Sequence, residues 1–177
     1  MNILLYFGSF NPIHKGHIGL AEYMLQLKGV DEVWLVLSPH NPLKDVSRLW
    51  NEEKRLELVK KACRHNARII VCTVEFPLPK PNYTINTLRH LSVKYPEHKF
   101  SILIGADNYA IFDKWRSWEE ILSNYKIYVY PRSGSKKIEG RFDEMEWLED
   151  APLFDISSTE IREKMARGES VDDLIPS

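Results

Sequence analysis

The chain has 177 residues, of which 44% are apolar, and its formal net charge at pH 7 is −1. This length is typical of one domain with a substantial core, so we expect a single domain over residues 1–177. The nearly neutral charge leaves no basic surplus for neutralising the phosphates of a nucleic acid. No apolar run reaches the roughly 18 residues that a membrane-spanning helix needs. The composition therefore predicts neither a nucleic acid nor a membrane as a partner.

The two cysteines and the N-terminus indicate the compartment. No metal or redox motif surrounds Cys63 or Cys72, so we expect reduced thiols that are buried or half-buried. The chain enters a predicted strand directly after Met1, and we expect no signal peptide. These features predict a cytoplasmic protein.

Predicted strands and helices alternate along the chain. We predict strands over residues 3–7, 32–37, 68–75, 100–104 and 126–130, and a short sixth strand over 145–148. Helices are predicted from His14 towards Gly29 and over residues 51–65, 83–95, 108–112 and 157–167. Strands that alternate with helices favour an α/β fold, with a doubly wound and mostly parallel central sheet flanked by helices.

The loop between the first strand and the first helix has the properties of a phosphate site. His14 and His17 are three positions apart, so they project from one face of the first helical turn. The first N–H groups of a helix have no internal partners and carry a positive dipole end, which favours phosphate. Gly16 costs helix stability, and close approach of a ligand would explain it. A solvated helix start and a metal pair are alternatives, but no clustered Cys or His supplies further metal ligands.

Other candidate residues follow later strands. His40 and Lys44 can reach a phosphate from the loop after the second strand, although a solvated loop fits them equally well. Asp107 follows the fourth strand, where it can bind a ribose hydroxyl or cap the next helix. Thr84 is a possible N-cap.

The last predicted helix gives a second phosphate candidate. Ser157 and Glu160 have the spacing of a capping box, which does not explain Arg162 in the same first turn. A cation beside the positive end of a helix is unfavourable unless an anion shares the site. Since strand-to-helix junctions of a doubly wound sheet share one edge, we expect both phosphate candidates to converge on one ligand.

Two motifs resemble a known enzyme family. The run Gly8–His17 resembles the G-[ST]-F-[DN]-P-x-H-x-G-H motif of the HxGH nucleotidyltransferases. Residues 156–162 resemble the I-S-S-T-x-I-R motif of bacterial-type nicotinate-nucleotide adenylyltransferases. Looser matches are a P-x-x-N-P-x-K-like loop, a Y-T step at residues 83–84, and a G-x-D step at 105–107 with a tryptophan eight positions later. The chain departs from the family pattern at Asn11 and Arg116, and the final helix of relatives is expected to be missing.

The resemblance implies a Rossmann-like fold and transfer of AMP from ATP to nicotinate mononucleotide, which gives deamido-NAD and pyrophosphate, with Mg²⁺ carried by the ATP phosphates. It implies catalytic roles for His14, His17 and Arg162. It assigns ATP or phosphate binding to Gly8, Ser9, Phe10, Gly16, Lys44, Gly105, Ser157, Ser158 and Thr159. It assigns mononucleotide binding to Tyr83, Thr84, Asp107, Trp115 and Arg116, with the tryptophan stacked on the pyridine ring.

Several alternatives stay open from the sequence. Sister transferases that act on phosphopantetheine or use CTP share the first motif, and a non-catalytic nucleotide sensor could share the fold. A dinucleotide-dependent dehydrogenase is disfavoured because no G-x-G-x-x-G follows the first strand. We predict no protein metal site, and either a monomer or a homodimer.

Overall fold

The computed structural model describes residues 1–41, 49–132 and 141–176. Its strands form one parallel sheet and are β1 (Asn2–Gly8), β2 (Glu32–Leu37), β3 (Ile69–Cys72), β4 (Lys99–Gly105), β5 (Lys126–Tyr130) and β6 (Glu146–Trp147). Its helices are α1 (Lys15–Met24), α2 (Glu52–Cys63), α3 (Thr84–Lys94), α4 (Ala106–Ala110), α5 (Trp118–Asn124) and α6 (Ser158–Ala166), with a 3₁₀ turn over Phe112–Lys114. The strand order is β3-β2-β1-β4-β5-β6.

The order of the strands places a crevice beside β1. The chain runs outward from β1 through β2 to β3, then returns to place β4 on the other side of β1. The loops after β1 and β4 therefore diverge to opposite faces of the sheet, and they leave a crevice at the carboxyl edge. Gly8 and Gly105 end these two strands. Ligands of open α/β sheets bind at such a point.

Both faces of the sheet are covered by core residues. Leu4 and Tyr6 belong to a cluster that includes Ala21 and Met24 of α1, whereas Ile3 and Leu5 belong to a second cluster with α3 and α5. Successive residues of a strand point to opposite faces, so β1 supplies both layers. The structure confirms the predicted α/β fold with a parallel sheet flanked by helices.

Two predicted strands are shorter in the structure. The third ends at Cys72 instead of Glu75, because the chain turns and the Phe76 N–H donates to the Thr73 carbonyl at 3.1 Å. This turn removes Glu75 from the sheet and buries it. The sixth strand is confirmed but has only the two residues of β6.

Local details also test the sequence interpretation. Cys63 is half-buried and Cys72 is buried, and both are free thiols, as predicted. The expected helix over 108–112 instead begins at Ala106 and ends at Ala110. Within the described ranges, no helix is long and apolar enough to cross a membrane.

Candidate active site

Two histidines form the start of α1. The His14 N–H donates to Nδ1 of His17 at 3.0 Å, and the Gly16 N–H donates to Nδ1 of His14 at 3.1 Å. The two rings stack with their centroids 3.6 Å apart. Because each Nδ1 accepts a backbone hydrogen bond, each neutral imidazole carries its proton on Nε2. The helix start thus has two N–H donors of fixed tautomer.

The environment of His14 also sets its charge. Burial, assisted by the positive charge of Arg132, lowers the pKa of His14 from 6.5 to about 4. Its side chain is only 6% exposed. His14 is therefore neutral at pH 7, and any hydrogen bond it donates to an anion comes from a neutral N–H.

Gly16 makes room for protein atoms. A Cβ at this position would lie 2.9 Å from the His14 ring and 3.1 Å from Cβ of Phe154. A Cβ at Gly19, in the next turn, would lie 2.2 Å from the Phe154 ring. Packing against the His14 ring and Phe154 is therefore a second reason for a glycine here, and the expected close approach of a ligand stays a prediction.

The N-terminus of α6 is bonded to the first loop. Ser158 Oγ donates to the Pro12 carbonyl at 2.8 Å, and a terminal nitrogen of Arg162 donates to the Asn11 carbonyl at 2.7 Å. These contacts bring together the two motifs, as the sequence predicted. The guanidinium also donates to Thr159 Oγ1 at 3.2 Å. Arg162 therefore has carbonyl and hydroxyl acceptors of its own, which corrects the expectation that only an anion could explain a cation in this turn.

The caps of the helices agree only partly with the sequence interpretation. Ser157 is the N-cap of α6, and its hydroxyl accepts the Glu160 N–H at 3.1 Å, as predicted. Thr84 is not an N-cap, since Tyr83 holds that position without a side-chain hydrogen bond. Asp107 is not a cap either, because Gly105 precedes α4 and leaves Asp107 inside its first turn.

Arg55 was not singled out from the sequence, yet it joins the loops after β1 and β2. One terminal nitrogen donates to the carbonyls of Ser9 and Ser38, each at 2.9 Å, and Nε donates to the Trp50 carbonyl at 2.9 Å. The side chain is 1% exposed. Its sequence position gives a clue, because Arg55 shares a helical stripe with the buried Val59 and Ala62. A cation on an apolar stripe indicates a structural role in organising carbonyl groups.

A first cavity lies over the histidine pair. Its walls include His14, His17 and Gly16 of α1, Arg132 after β5, and Ser157 before α6. Phe154 closes one side. Neutral N–H donors, a guanidinium and two helix N-termini face this space, which makes it suitable for a polyphosphate.

A second cavity lies at the carboxyl ends of β1 and β4. Its walls include Tyr83, Thr84, Trp115, Arg116 and Gly105, all of which were predicted site residues. The Arg116 guanidinium lies over the Tyr83 ring at 3.7 Å, so the departure from the family pattern faces the predicted pyridine site. Tyr6 and Tyr130 line both cavities, which therefore adjoin.

Other predicted residues take varied positions around these cavities. Gly8 lines the second cavity, and the buried Phe10 places its ring edge-on to His17 at 5.0 Å. Ser9 Oγ is buried and has no hydrogen-bond partner in the described part of the chain. Lys44 lies outside the described residues.

Asp107 does not line the second cavity. Its carboxylate is exposed, and Oδ2 lies 3.4 Å from a terminal nitrogen of Arg132. Asn108, the next residue, lines the cavity. The predicted sugar contact is therefore not preformed, and Asp107 lies at the rim beside Arg132.

The second cavity contains a carboxyl group that the sequence interpretation did not identify. Glu75 is 1% exposed and lines the cavity, and burial raises its pKa from 4.5 to about 7. Its Oε2 accepts the Thr87 hydroxyl at 2.7 Å. For Asp107, the sequence analysis expected a carboxylate just past the end of a strand to face the ligand. The same reasoning identifies Glu75 if the third strand is predicted to end at Cys72, where it ends in the structure.

Known proteins resemble this chain over nearly its whole length. The family described as cytidylyltransferase-like matches residues 5–164. A Bacteroides fragilis protein named "probable nicotinate-nucleotide adenylyltransferase" is 46% identical over 167 residues, which cover 94% of this chain and 83% of the relative. A Flavobacterium johnsoniae protein of the same name is 43% identical over 178 residues, which cover 99% and 92%.

A solved structure supports the fold. The Plasmodium falciparum nicotinic acid mononucleotide adenylyltransferase complexed with NaAD aligns with a TM-score of 0.79 and 19% identity, covering 98% of this chain and 90% of that one. At that identity the likeness concerns the fold, which is the Rossmann-like arrangement described above. Together with the two motifs and the close relatives, it shows that the chain is a nucleotidyltransferase of the nicotinate-nucleotide adenylyltransferase family.

Proposed function

We propose that the chain transfers AMP from ATP to nicotinate mononucleotide, forming deamido-NAD and pyrophosphate. The main support is the pair of adjoining cavities on either side of Tyr6 and Tyr130. The cavity with the histidine pair suits a triphosphate, and the cavity with Trp115 suits a pyridine nucleotide. A reaction that joins the two nucleotides requires such adjacent sites.

The chemistry needs no general base. A phosphate monoester has a second pKa near 6, so the phosphate of the mononucleotide is largely a dianion at pH 7. One of its oxygens attacks the α-phosphorus of ATP, and the bond from that phosphorus to the bridging oxygen of pyrophosphate breaks. The protein then contributes by positioning the reactants and stabilising charge at the transferred phosphorus.

Residues in and beside the first cavity are proposed to hold the triphosphate. His17 Nε2–H is assigned to the α-phosphate and His14 Nε2–H to the neighbouring oxygens, because their tautomers are fixed as donors. Arg162 and Lys44 are assigned to the outer phosphates. The set is completed by backbone and hydroxyl groups of Ser9, Phe10, Gly16, Ser157, Ser158 and Thr159, and by Gly8 and Gly105, which line the second cavity.

Mg²⁺ enters in this proposal with ATP, on its β- and γ-phosphate oxygens. Magnesium keeps several waters and often binds mainly through substrate phosphates. Across residues 1–41, 49–132 and 141–176, no three His, Cys, Asp or Glu side chains are grouped to hold a metal ion.

The second cavity is proposed to bind the mononucleotide. Trp115 would stack on the pyridine ring, with its contacts to Phe112 fixing the indole at a centroid distance of 5.1 Å. The first turn of α3, beginning at Thr84, supplies N–H groups for the nicotinate carboxylate, and Arg116 supplies attraction. Asp107 is assigned to a ribose hydroxyl, a contact it can make by leaving Arg132.

The proposal is tested by pyrophosphate release. The purified protein should release pyrophosphate from MgATP with nicotinate mononucleotide, and kcat/KM should be lower with nicotinamide mononucleotide. Phosphopantetheine with ATP, and CTP in place of ATP, should give little release. Turnover of phosphopantetheine would indicate a sister transferase, and tight ATP binding without any turnover would indicate a nucleotide sensor.

A further inference from the structure

The starting observation is an unpaired oxygen in the second cavity. Thr87 occupies Oε2 of Glu75, whereas Oε1 is buried and makes no hydrogen bond to any described residue. A carboxyl that served only to anchor α3 through Thr87 would leave this second oxygen desolvated and unpaired, which is unfavourable. An unsatisfied buried polar atom at the wall of a binding cavity indicates a contact that a ligand completes.

The hydrogen bond to Thr87 also fixes where a proton on Glu75 resides. Because Oε2 accepts from the hydroxyl, the proton of the neutral acid lies on Oε1. In that form Oε1 is a hydrogen-bond donor in the wall of the second cavity. In the ionised form Oε1 only accepts, and it adds a negative charge.

These two forms suit different pyridine substituents. A carboxylate has two acceptor oxygens, so it matches the α3 N–H groups together with a donor at Oε1. A carboxamide has one acceptor and one NH₂ donor, so it matches the same N–H groups together with an acceptor at Oε1. The ionised form would also repel a carboxylate, in a buried environment where charges are weakly screened.

We propose that Glu75 is a specificity-determining residue that selects the pyridine substituent. Its neutral form favours nicotinate mononucleotide, and its ionisation weakens that preference. This inference rests on the proposed function. It assigns to the Glu75 side chain part of the discrimination between carboxylate and carboxamide, which backbone N–H groups alone would achieve less strongly.

The surroundings of Glu75 place this change of form near neutral pH. Burial raises the carboxyl pKa to about 7. The hydrogen-bonded hydroxyl of Thr87 opposes the rise, as does the nearby hydroxyl of Ser38, which makes no hydrogen bond to Oε1. The titratable or charged groups around it are Cys72 at the end of β3, Tyr83 before α3, Lys114 and Arg116 after α4, Tyr6 on β1 and Tyr130 on β5. The lysine and arginine are exposed to solvent, and burial is the largest cause of the shift.

The test is the ratio of kcat/KM for nicotinate mononucleotide to that for nicotinamide mononucleotide, measured from pH 6 to pH 8.5. Both substrates carry the same phosphate, so titration of the nucleophile cancels in the ratio. In the wild-type protein the ratio should fall about tenfold or more over this range, as expected for a group that ionises near pH 7. In Glu75→Gln the ratio should stay high and constant, because the amide carbonyl accepts from Thr87 and the NH₂ group donates into the cavity.

Two further variants make the test specific. Thr87→Val removes a donor that favours the ionised form, so the fall in the ratio should move to higher pH. Glu57→Gln neutralises an exposed carboxylate of α2 and should behave as the wild type. A wild-type ratio that does not change with pH, or a Glu75→Gln variant with the wild-type profile, would overturn the inference.

The outcome separates this inference from the proposed function. Turnover of nicotinate mononucleotide with a pH-independent ratio would overturn the role of Glu75 alone. Absence of turnover with both mononucleotides would refute the proposed function, and calorimetric binding of the two mononucleotides over the same pH range would then test Glu75 directly. Failure of both to bind would overturn both proposals.

Discussion

The two cavities differ in how their polar groups are satisfied before any ligand binds. In the first cavity, Nδ1 of His14 and Nδ1 of His17 each accept a backbone hydrogen bond. Beside this cavity, Ser158 and Arg162 join α6 to the loop after β1. In the second cavity, Oε1 of Glu75 and Nε1 of Trp115 are buried and have no hydrogen-bond partner in the described ranges. The first cavity is preorganised, whereas the second has contacts that remain to be completed.

This difference suits the parts that the two ligands play. Charge develops at the transferred phosphorus, and donors that are already oriented stabilise it without reorganisation. Recognition of a pyridine substituent depends instead on matching donors to acceptors, and an incomplete set penalises the wrong analogue strongly. Catalysis should therefore be sensitive to the first cavity, and substrate choice to the second.

Replacing His17 should have the largest effect. We expect His17→Ala to lower kcat by about a hundredfold or more, because removal of one oriented donor to developing charge has effects of this size. The KM for ATP should change much less, since the contact strengthens in the transition state. Steady-state kinetics with ATP and nicotinate mononucleotide measure this, and a kcat within a few-fold of the wild type would contradict the assignment.

His14 should make the stability of the protein sensitive to acid. Its folded pKa of about 4 lies below the ordinary value of 6.5, so the unfolded chain binds a proton first as the pH falls. The neutral form therefore stabilises the fold fully above pH 6.5, and that stabilisation is lost as the pH falls towards 4, on the order of 2–3 kcal/mol.

His14→Asn is the comparison for this effect. Asparagine can accept the Gly16 N–H as an N-cap but does not titrate. The difference in free energy of unfolding between wild type and variant, from urea denaturation, should shift in favour of the variant between pH 6.5 and pH 4. A difference that is constant with pH would mean that His14 is not held neutral.

Trp115 should affect one substrate and spare the other. We expect Trp115→Ala to lower kcat/KM for nicotinate mononucleotide about tenfold to a hundredfold, as loss of aromatic stacking on one base typically does. The KM for ATP should stay nearly unchanged, because the Trp115 indole does not line the first cavity. Trp118→Phe is the control, because it alters a half-buried core residue of α5 that does not line the second cavity. It shows whether a general weakening of core packing lowers kcat/KM. Equal losses for both substrates would remove the distinction between the cavities.

Much of this arrangement follows from the sequence, and the failures share a cause. Apolar runs and turn residues predicted the alternating elements, and two junction motifs predicted convergence, because these depend on neighbouring residues. Arg55 and Glu75 were missed because their partners are distant in the chain, as with the Ser9 carbonyl that accepts from Arg55. The packing of Phe154 against Gly16 was missed for the same reason, since Phe154 is far along the sequence.

Arg162 gives the smallest expected effect, and it tests whether the link between α6 and the first loop also binds substrate. Its guanidinium donates to the Asn11 carbonyl and to Thr159, and the residue belongs to α6, the N-terminus of which favours anions. We expect Arg162→Ala to raise the KM for ATP about tenfold, which corresponds to roughly 1.4 kcal/mol, near the lower end of the range for a hydrogen bond to a charged group.

The control for Arg162 lies at the other end of the same helix. Arg167 pairs with Glu169 at 2.8 Å on an exposed surface, so Arg167→Ala should change neither the KM for ATP nor the stability by a measurable amount. If Arg162 only fastened α6 to the loop, Arg162→Ala would lower the melting temperature and leave the KM for ATP at the wild-type value. A raised KM with a small loss of stability would instead show that the positive charge reaches the triphosphate, and Arg162→Lys should then recover part of the affinity, because a lysine keeps the charge but loses the forked geometry.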